Sequence, residues 1–422
     1  MYMISRPKGT NDLLPKESQK FVKLTKFIHK FMKKYNVEFI RTPIFESYEL
    51  FHRNGELSDM VTKETYDFLD RANRKLTLRP EGTAGIVRSY VENKIFSPGH
   101  FSSYYYIGPF FRYERPQKNR YREFYQIGAE LIGNKHFTQD AELISMAYNF
   151  LKGIGIEDFK LKINYLGNHE ELSKFKIDLS NYLKPLKESL SKESQLRIEK
   201  NPLRILDSKS ETDRKLLINA PKTLDYISQK QAKEFQQTLK ILDKKHISYE
   251  IDHTLVRGID YYSEIVFEFQ TSELNSSSHN AVGGGGRYND LVNELGGPKV
   301  SGVGFAFGVE RLLNLKNSLN SLPENIDIFL TYIDDVDSVD SYIIFSNLRM
   351  QNFKVYFGYK SNTLKTEIKN ALGLGSKYLL IFDSKTSGKG IVQVRNLQQH
   401  SQVELKYEEL DAYLRENLEV KK

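Results

Sequence analysis

The chain has 422 residues, 39% of them hydrophobic and 27% charged, which suits two or three soluble globular domains with real cores. It contains no cysteine, so disulfides, thiolate metal centres and cysteine nucleophiles are excluded. Lys and Arg outnumber Asp and Glu by 62 to 54, a net charge of +8, which favours a polyanionic partner without specifying one, since solvated lysines give the same excess.

The opening segment, Met1 to Thr10, lacks the apolar core of a signal peptide. The longest apolar runs, such as Tyr378–Phe382, are strand-sized and far short of a membrane span. A cytoplasmic protein without membrane association is expected. From Lys16 to Tyr35, apolar residues at Phe21, Leu24, Phe27, Ile28 and Phe31 keep a helical spacing. Leu78-Arg-Pro-Glu-Gly-Thr-Ala-Gly85 precedes another helical stretch. Its carboxylate, Glu81, beside Gly82 and Thr83, can take a ligand ammonium group. The commoner use of such a segment is a helix start, with Thr83 as the capping residue and Glu81 solvated.

The stretch from Tyr104 to Glu130 is aromatic and β-like, with a polar interruption between Arg115 and Asn119. Read as a hairpin, Phe111–Glu114 and Phe124–Glu130 alternate faces with period two. Arg112 and Glu114 then share one face, and Gln126, Gly128 and Glu130 share one face of the return strand. If those faces coincide, one surface carries a guanidinium, an amide and two carboxylates, with a glycine leaving room. An exposed face with cross-strand ion pairs reads the same way. From about Ile163 to Lys245 the chain is lysine-rich and helical, with few glycines. Leu255-Val-Arg-Gly-Ile-Asp-Tyr-Tyr262 sets Arg257 near Tyr261 and Tyr262. That is either a fixed cation beside aromatic hydroxyls or a turn into a strand with core tyrosines.

Ile265–Phe269 alternates again, and a glycine block follows at Gly283–Gly286. Gly302 to Arg311 reads as strand, glycine turn and helix. Arg311 would then lie in the first helical turn, where a guanidinium and free backbone amides can hold phosphate. The spacing fails the dinucleotide fingerprint. Leu319–Asn325 reads as a linker. Beyond it, Ile326–Ile333, Lys354–Phe357 and Lys377–Phe382 look like strands between helical stretches, which predicts a small separate α/β domain.

Taken in order, these segments resemble the class II aminoacyl-tRNA synthetases. Thr42-Pro-Ile-Phe-Glu46 is similar to motif 1, with the proline at a dimer interface. Phe111–Glu114, its loop and Arg120–Phe124 are similar to motif 2, and Gly304–Arg311 to motif 3. Leu78–Gly85 and Leu255–Tyr262 resemble the histidine signatures of the histidyl-tRNA synthetase family, and Lys8–Pro15 and Gly284–Tyr288 resemble segments of it too. Departures are Ile259, where the family often has Leu, and Asn289-Asp290, where Asp-Gly is usual. The resemblance spans nearly the whole chain and implies an α+β fold. A class II antiparallel sheet flanked by helices would occupy residues 1–320, interrupted by a mostly helical insertion at about 163–245. A C-terminal α/β anticodon-binding domain would follow at 324–422.

The same resemblance implies a homodimer that activates histidine with ATP and transfers it to the 3′ end of tRNA(His). Glu81 and Thr83 would hold the histidine ammonium group, and Gln126 and Arg112 would lie by its carboxylate. Glu130, with Tyr261 and Tyr262, would surround the imidazole; a carboxylate accepting a ring N–H fixes which nitrogen carries the proton. Arg112 would also reach the ATP α-phosphate, Glu114 the adenine side, and Arg120 and Arg311 the outer phosphates, accompanied by Mg2+. Arg257 would border the histidine and face the α-phosphate. With Arg112 it would form the catalytic pair, acting by electrostatic stabilisation rather than as a nucleophile. Lysines of the insertion and the last domain would meet tRNA phosphates. The paralogous regulatory subunit of ATP phosphoribosyltransferase shares this fold but charges no tRNA. It typically lacks the anticodon module and has eroded ATP motifs, whereas Arg112, Arg120, Arg311 and a long segment after the linker are present here.

Overall fold

The helical spacing near the start produces the helix Pro15–Lys34 in the computed structural model. The structure describes residues 4–53, 64–96, 101–114, 120–133, 135–258, 261–274, 280–315, 326–333, 338–351, 353–358 and 363–418. The polar interruption at 115–119, the departure at Ile259 and the linker at 319–325 lie outside those residues. Contacts divide the chain into two units, Met1–Asn320 and Ser321–Lys422.

The first unit is built on a large sheet. Its middle is antiparallel, in the spatial order β5 (Ser102–Phe111), β6 (Glu123–Gly133), β11 (Ser301–Gly308), β10 (Ala281–Tyr288), β9 (Ser263–Gln270) and β7 (Lys160–Tyr165). Two short strands, β1 (Glu38–Phe39) and β8 (Glu250–Ile251), add in parallel at the edges. Register makes the two faces of this sheet chemically different. Phe305 pairs with Ala129 and Gly285, and Phe307 with Ile127 and Gly283. Together with Phe267 and Phe269 they meet Leu24 and Ile28 of the first helix and Phe150 of the helix Phe137–Gly153 in one apolar core.

On the opposite face, register aligns Gln126 with Gly308, Gly128 with Ala306 and Glu130 with Gly304. The next strand brings Gly284 to Ala306 and Gly286 to Gly304. The glycine block is therefore a strand, and the missing side chains leave a bare floor. Gly302 and Gly304 likewise lie inside β11 rather than in a turn. The turn into the helix Val309–Leu313 comes at Gly308, with Arg311 third in that helix. A side chain at Gly304 would collide with the Glu130 carboxylate.

The inserted helical cluster is narrower than 163–245. Ile163 belongs to β7, and the helix Gln229–Lys244 sends Phe235 and Leu242 into the main core. The helices His169–Leu183, Lys192–Lys200, Leu203–Leu206 and Glu211–Leu217 share their own core, including Phe175, Leu179, Ile198 and Ile205. Asp213 ties that cluster by accepting hydroxyls from Ser191, Ser194 and Ser208 at 2.7, 2.7 and 2.5 Å. A small antiparallel sheet of β2 (Phe45–Ser47), β4 (Lys75–Leu78) and β3 (Tyr66–Leu69) leads into the Glu81 turn.

In the second unit, β12 (Ile328–Tyr332) pairs in parallel with β13 (Val355–Phe357) and β14 (Tyr378–Phe382), as the alternation predicts. Two further antiparallel strands, β15 (Ile391–Asn396) and β16 (Ser401–Lys406), extend it beyond the three expected. Helices cover both faces: Leu348, Leu410 and Leu414 pack on one and Ala371 on the other. Among the described residues no helix is long and apolar enough to cross a membrane.

Candidate active site

The glycine floor lies in a cleft of about 630 Å³. All the site residues expected from the sequence line it except Glu130, which sits behind Thr83. The carboxylate end is built around a helix start. Gly82 precedes the helix Thr83–Glu92, and Glu81 caps it, accepting the backbone N–H groups of Thr83 at 2.6 Å and Ala84 at 2.9 Å. Thr83 is therefore not the cap, and Glu81 is not solvated. The Thr83 hydroxyl instead donates to Glu130 at 2.6 Å, and the Tyr261 hydroxyl donates to Glu81 at 3.1 Å.

Glu130 is 1% exposed and also accepts the Tyr288 hydroxyl at 2.7 Å. Burial pushes its pKa up to about 8, helped by the charge of Glu81 and opposed by the two hydroxyl donors. Tyr106 completes this end. A Cβ at Gly82 would meet its ring at 2.5 Å, and one at Gly128 would meet its hydroxyl. Burial, then the nearby carboxylates Glu130 and Glu81, raises Tyr106 well above the usual phenol value, so it stays a hydroxyl donor.

The other end is cationic. β5 stops at Phe111, so Arg112 and Glu114 are loop residues rather than strand residues. The Arg112 backbone N–H still donates to the Arg122 carbonyl at 2.9 Å, which continues the register and keeps Arg112 on the side of Gln126. Arg112 Nε donates to the Pro80 carbonyl at 2.9 Å, and its guanidinium stands 5.3 Å over Phe124. Arg120 pairs with Glu114 and lies 3.7 Å from Glu64. Arg257 donates to Glu268 at 2.6 Å, and Glu268 also accepts from Gln270 at 2.7 Å. Arg311 donates to the Ala281 carbonyl at 2.8 Å.

These guanidiniums feel one another. Arg311 is held below the usual arginine value by burial first, then by Arg112, Arg120 and, more weakly, Arg257. A polyanion would relieve their repulsion. Gln126 Oε1 and Arg257 Nε are buried with no hydrogen-bond partner among the described residues. Both belong to cleft residues, where a ligand can supply the missing partner. Among the described residues, no group of three or more His, Asp or Glu could hold a metal ion.

Among the residues around this pocket that the sequence did not single out are Tyr106 and Glu268 in the cleft wall and Tyr288 behind it, on Glu130. Tyr288 had a signal, because even spacing from Gly284 and Gly286 sets it on the same strand face. Tyr106 had a similar one in its six-residue distance from Arg112. Glu268 had none, since its partner Arg257 reaches it from a separate loop.

Residues 9–312 match the family model for histidyl-tRNA synthetase, and residues 341–417 match that for an anticodon-binding domain. The chain belongs to the histidyl-tRNA synthetase family. A histidine–tRNA ligase of Acholeplasma laidlawii is 42% identical over 415 residues, covering 97% of this chain and 99% of the relative. One from Streptococcus pneumoniae is 44% identical over 411 residues, covering 96% and 95%. The apo histidyl-tRNA synthetase of Staphylococcus aureus superposes with a TM-score of 0.79 at 31% identity, covering 98% of this chain and all of that one. An ATP phosphoribosyltransferase regulatory subunit/histidyl-tRNA synthetase from Bacillus halodurans, 20% identical with a TM-score of 0.66, shares the fold over 91% of this chain and 99% of its own. The chain is thus a class II synthetase, a ligase that uses ATP to join histidine to tRNA.

Proposed function

We propose that histidine lies over the glycine floor with its ammonium group at Glu81 and Thr83 and its carboxylate toward Gln126 and Arg112. The imidazole points to Glu130, Tyr261 and Tyr262. The observation that carries this reading is the polarity of the cleft. Its carboxylate and hydroxyl end meets its guanidinium end at Gln126, whose amide oxygen is buried and unpartnered among the described residues. An amide can turn either end to a ligand, so this position suits the junction between ammonium and carboxylate.

ATP would lie along the arginines, with the α-phosphate at Arg112 and Arg257 and the outer phosphates at Arg120 and Arg311. Arg120 is engaged by Glu114 in the free protein. Phosphates drawing Arg120 away would free that carboxylate for the adenine side. A histidine carboxylate oxygen then attacks the α-phosphorus, the bond to the bridging oxygen breaks, and pyrophosphate leaves. Arg257 and Arg112 offset the charge that builds on the α-phosphate oxygens, a stabilisation greatest in the transition state. The 3′-terminal ribose hydroxyl of tRNA(His) next attacks the histidyl carbonyl, and AMP leaves.

Mg2+ fits this cleft as a companion of the nucleotide rather than as an ion held by a protein cage. Glu114 and Glu268, the carboxylates beside the arginines, are both taken by guanidinium groups. When bound, the metal would shield the outer phosphates. The second unit would read the anticodon, and the inserted cluster would approach the acceptor arm. Two copies would pair through the motif 1 region, where Ile44, Phe45, Phe68 and Leu69 are exposed large apolar residues. The protein would act in the cytoplasm. ATP–pyrophosphate exchange with each of the twenty amino acids tests the pocket. Exchange with histidine alone is expected, and comparable exchange with any other amino acid would overturn the assignment.

A further inference from the structure

The residues on either side of Arg257 are held by the inserted helical cluster, while the Arg257 side chain is held by the sheet. Val256 packs against the cluster's own core and also against Leu166, Leu255 and Val266. The Gly258 carbonyl accepts a hydrogen bond from the Arg204 guanidinium at 2.7 Å. Arg204 stands on the helix Leu203–Leu206, and the next two residues, Ile205 and Leu206, are buried in the cluster. The guanidinium is thus carried by an element anchored in the insertion. On the far side, Arg257 donates to Glu268 of β9 at 2.6 Å. Gly284, paired with Glu268, leaves the space: a Cβ there would come within 3.0 Å of Arg257 Nη1.

We propose that Arg204 is a positioning residue for histidine activation. Through the Gly258 carbonyl, the inserted cluster sets where the Arg257 guanidinium stands. The insertion is then part of the adenylate-forming site as well as a neighbour of tRNA. This rests on the reading of Arg257 at the α-phosphate. The physical reason is that a cation stabilises a transferring phosphoryl group only when correctly placed, and a misplacement of about 1 Å can slow a reaction about a hundredfold. A hydrogen bond that served the fold alone would instead lower the melting temperature and leave the kinetic constants of the folded enzyme unchanged.

Histidine-dependent ATP–pyrophosphate exchange needs no tRNA, so it reports this coupling without tRNA binding. Arg204→Met keeps the side-chain stem, and Arg204→Gln keeps polarity; the buried positions of that helix are untouched in both. In either variant kcat should fall about ten- to a hundredfold, with KM for histidine and for ATP nearly unchanged. Arg204→Lys should recover part of the loss. The double variant R204M/R257A should be no slower than R257A alone, because the two residues act through one group. Wild-type exchange in a folded R204M or R204Q enzyme would overturn the proposal. So would loss of folding in both, which would assign Arg204 to the fold. Wild-type exchange in R257A would sink the Arg257 reading itself. Loss in R257A without loss in R204M or R204Q would sink only the coupling.

Discussion

Glu130→Gln separates recognition from stability at the buried end of the cleft. Burial raises the Glu130 pKa to about 8, whereas an unfolded chain would have it near about 4.3. A carboxyl raised on folding keeps its proton in the native state while the unfolded chain has lost it. As pH climbs from roughly 4 to 8, the native state therefore binds more protons than the unfolded one, and stability falls. At about 1.36 kcal/mol per pKa unit, the accumulated destabilisation by pH 8 is on the order of 3–5 kcal/mol. Glutamine has the shape of the protonated acid and does not titrate. Glu130→Gln should melt close to the wild type near pH 5 and increasingly above it toward pH 8, by several degrees. Histidine recognition should move the other way. Below about pH 8 the carboxyl is neutral, so losing its hydrogen bond to histidine, about 0.5–1.5 kcal/mol, raises the histidine KM roughly two- to tenfold, with the ATP KM little changed. Melting curves across pH and exchange kinetics read the two effects separately. A variant that melts below the wild type at pH 8 and keeps its histidine KM would refute the reasoning. Glu130 would then be a charged structural partner of Thr83 and Tyr288.

Gly304→Ala should abolish histidine exchange and destabilise by about 1–3 kcal/mol, because its Cβ would occupy the space of the Glu130 carboxylate; normal exchange in that variant would contradict the bare floor. A chain ended at Asn320 should keep a folded first unit that activates histidine yet charges tRNA poorly, since every cleft-lining residue precedes that point. Aminoacylation equal to that of the intact chain would reject the division of labour. Phe45→Glu with Phe68→Glu should yield monomers in sedimentation, because these exposed rings stand 6.4 Å apart on the small sheet; an unchanged mass would move the interface elsewhere.

Most of the residues that line the cleft's two ends, and the order of the elements that hold them, were legible in the chain. Period-two spacing put Gln126, Gly128 and Glu130 on one face, and register confirms that face continues to Arg112. Alternating strands and helices after the linker marked the second unit. Local pattern carries such information because side-chain direction depends only on backbone period. What spacing could not reach were pairings between distant segments. The glycines at 283–286 stood out only as a block with no element assigned, because glycine is a poor strand former, and only close approach of neighbouring backbones, such as Gly285 against the Gly304 carbonyl, makes them necessary in a strand. The cap at Glu81 rather than Thr83, the pairing of Arg257 with Glu268 and the reach of Arg204 to Gly258 all join residues that no periodicity links. Even the limits of the insertion were hidden, because the helix Gln229–Lys244 has the same lysine-rich composition as its neighbours yet buries Phe235 and Leu242 in the main core. Composition and period belong to one segment at a time, whereas burial is decided by which other segment arrives to cover it.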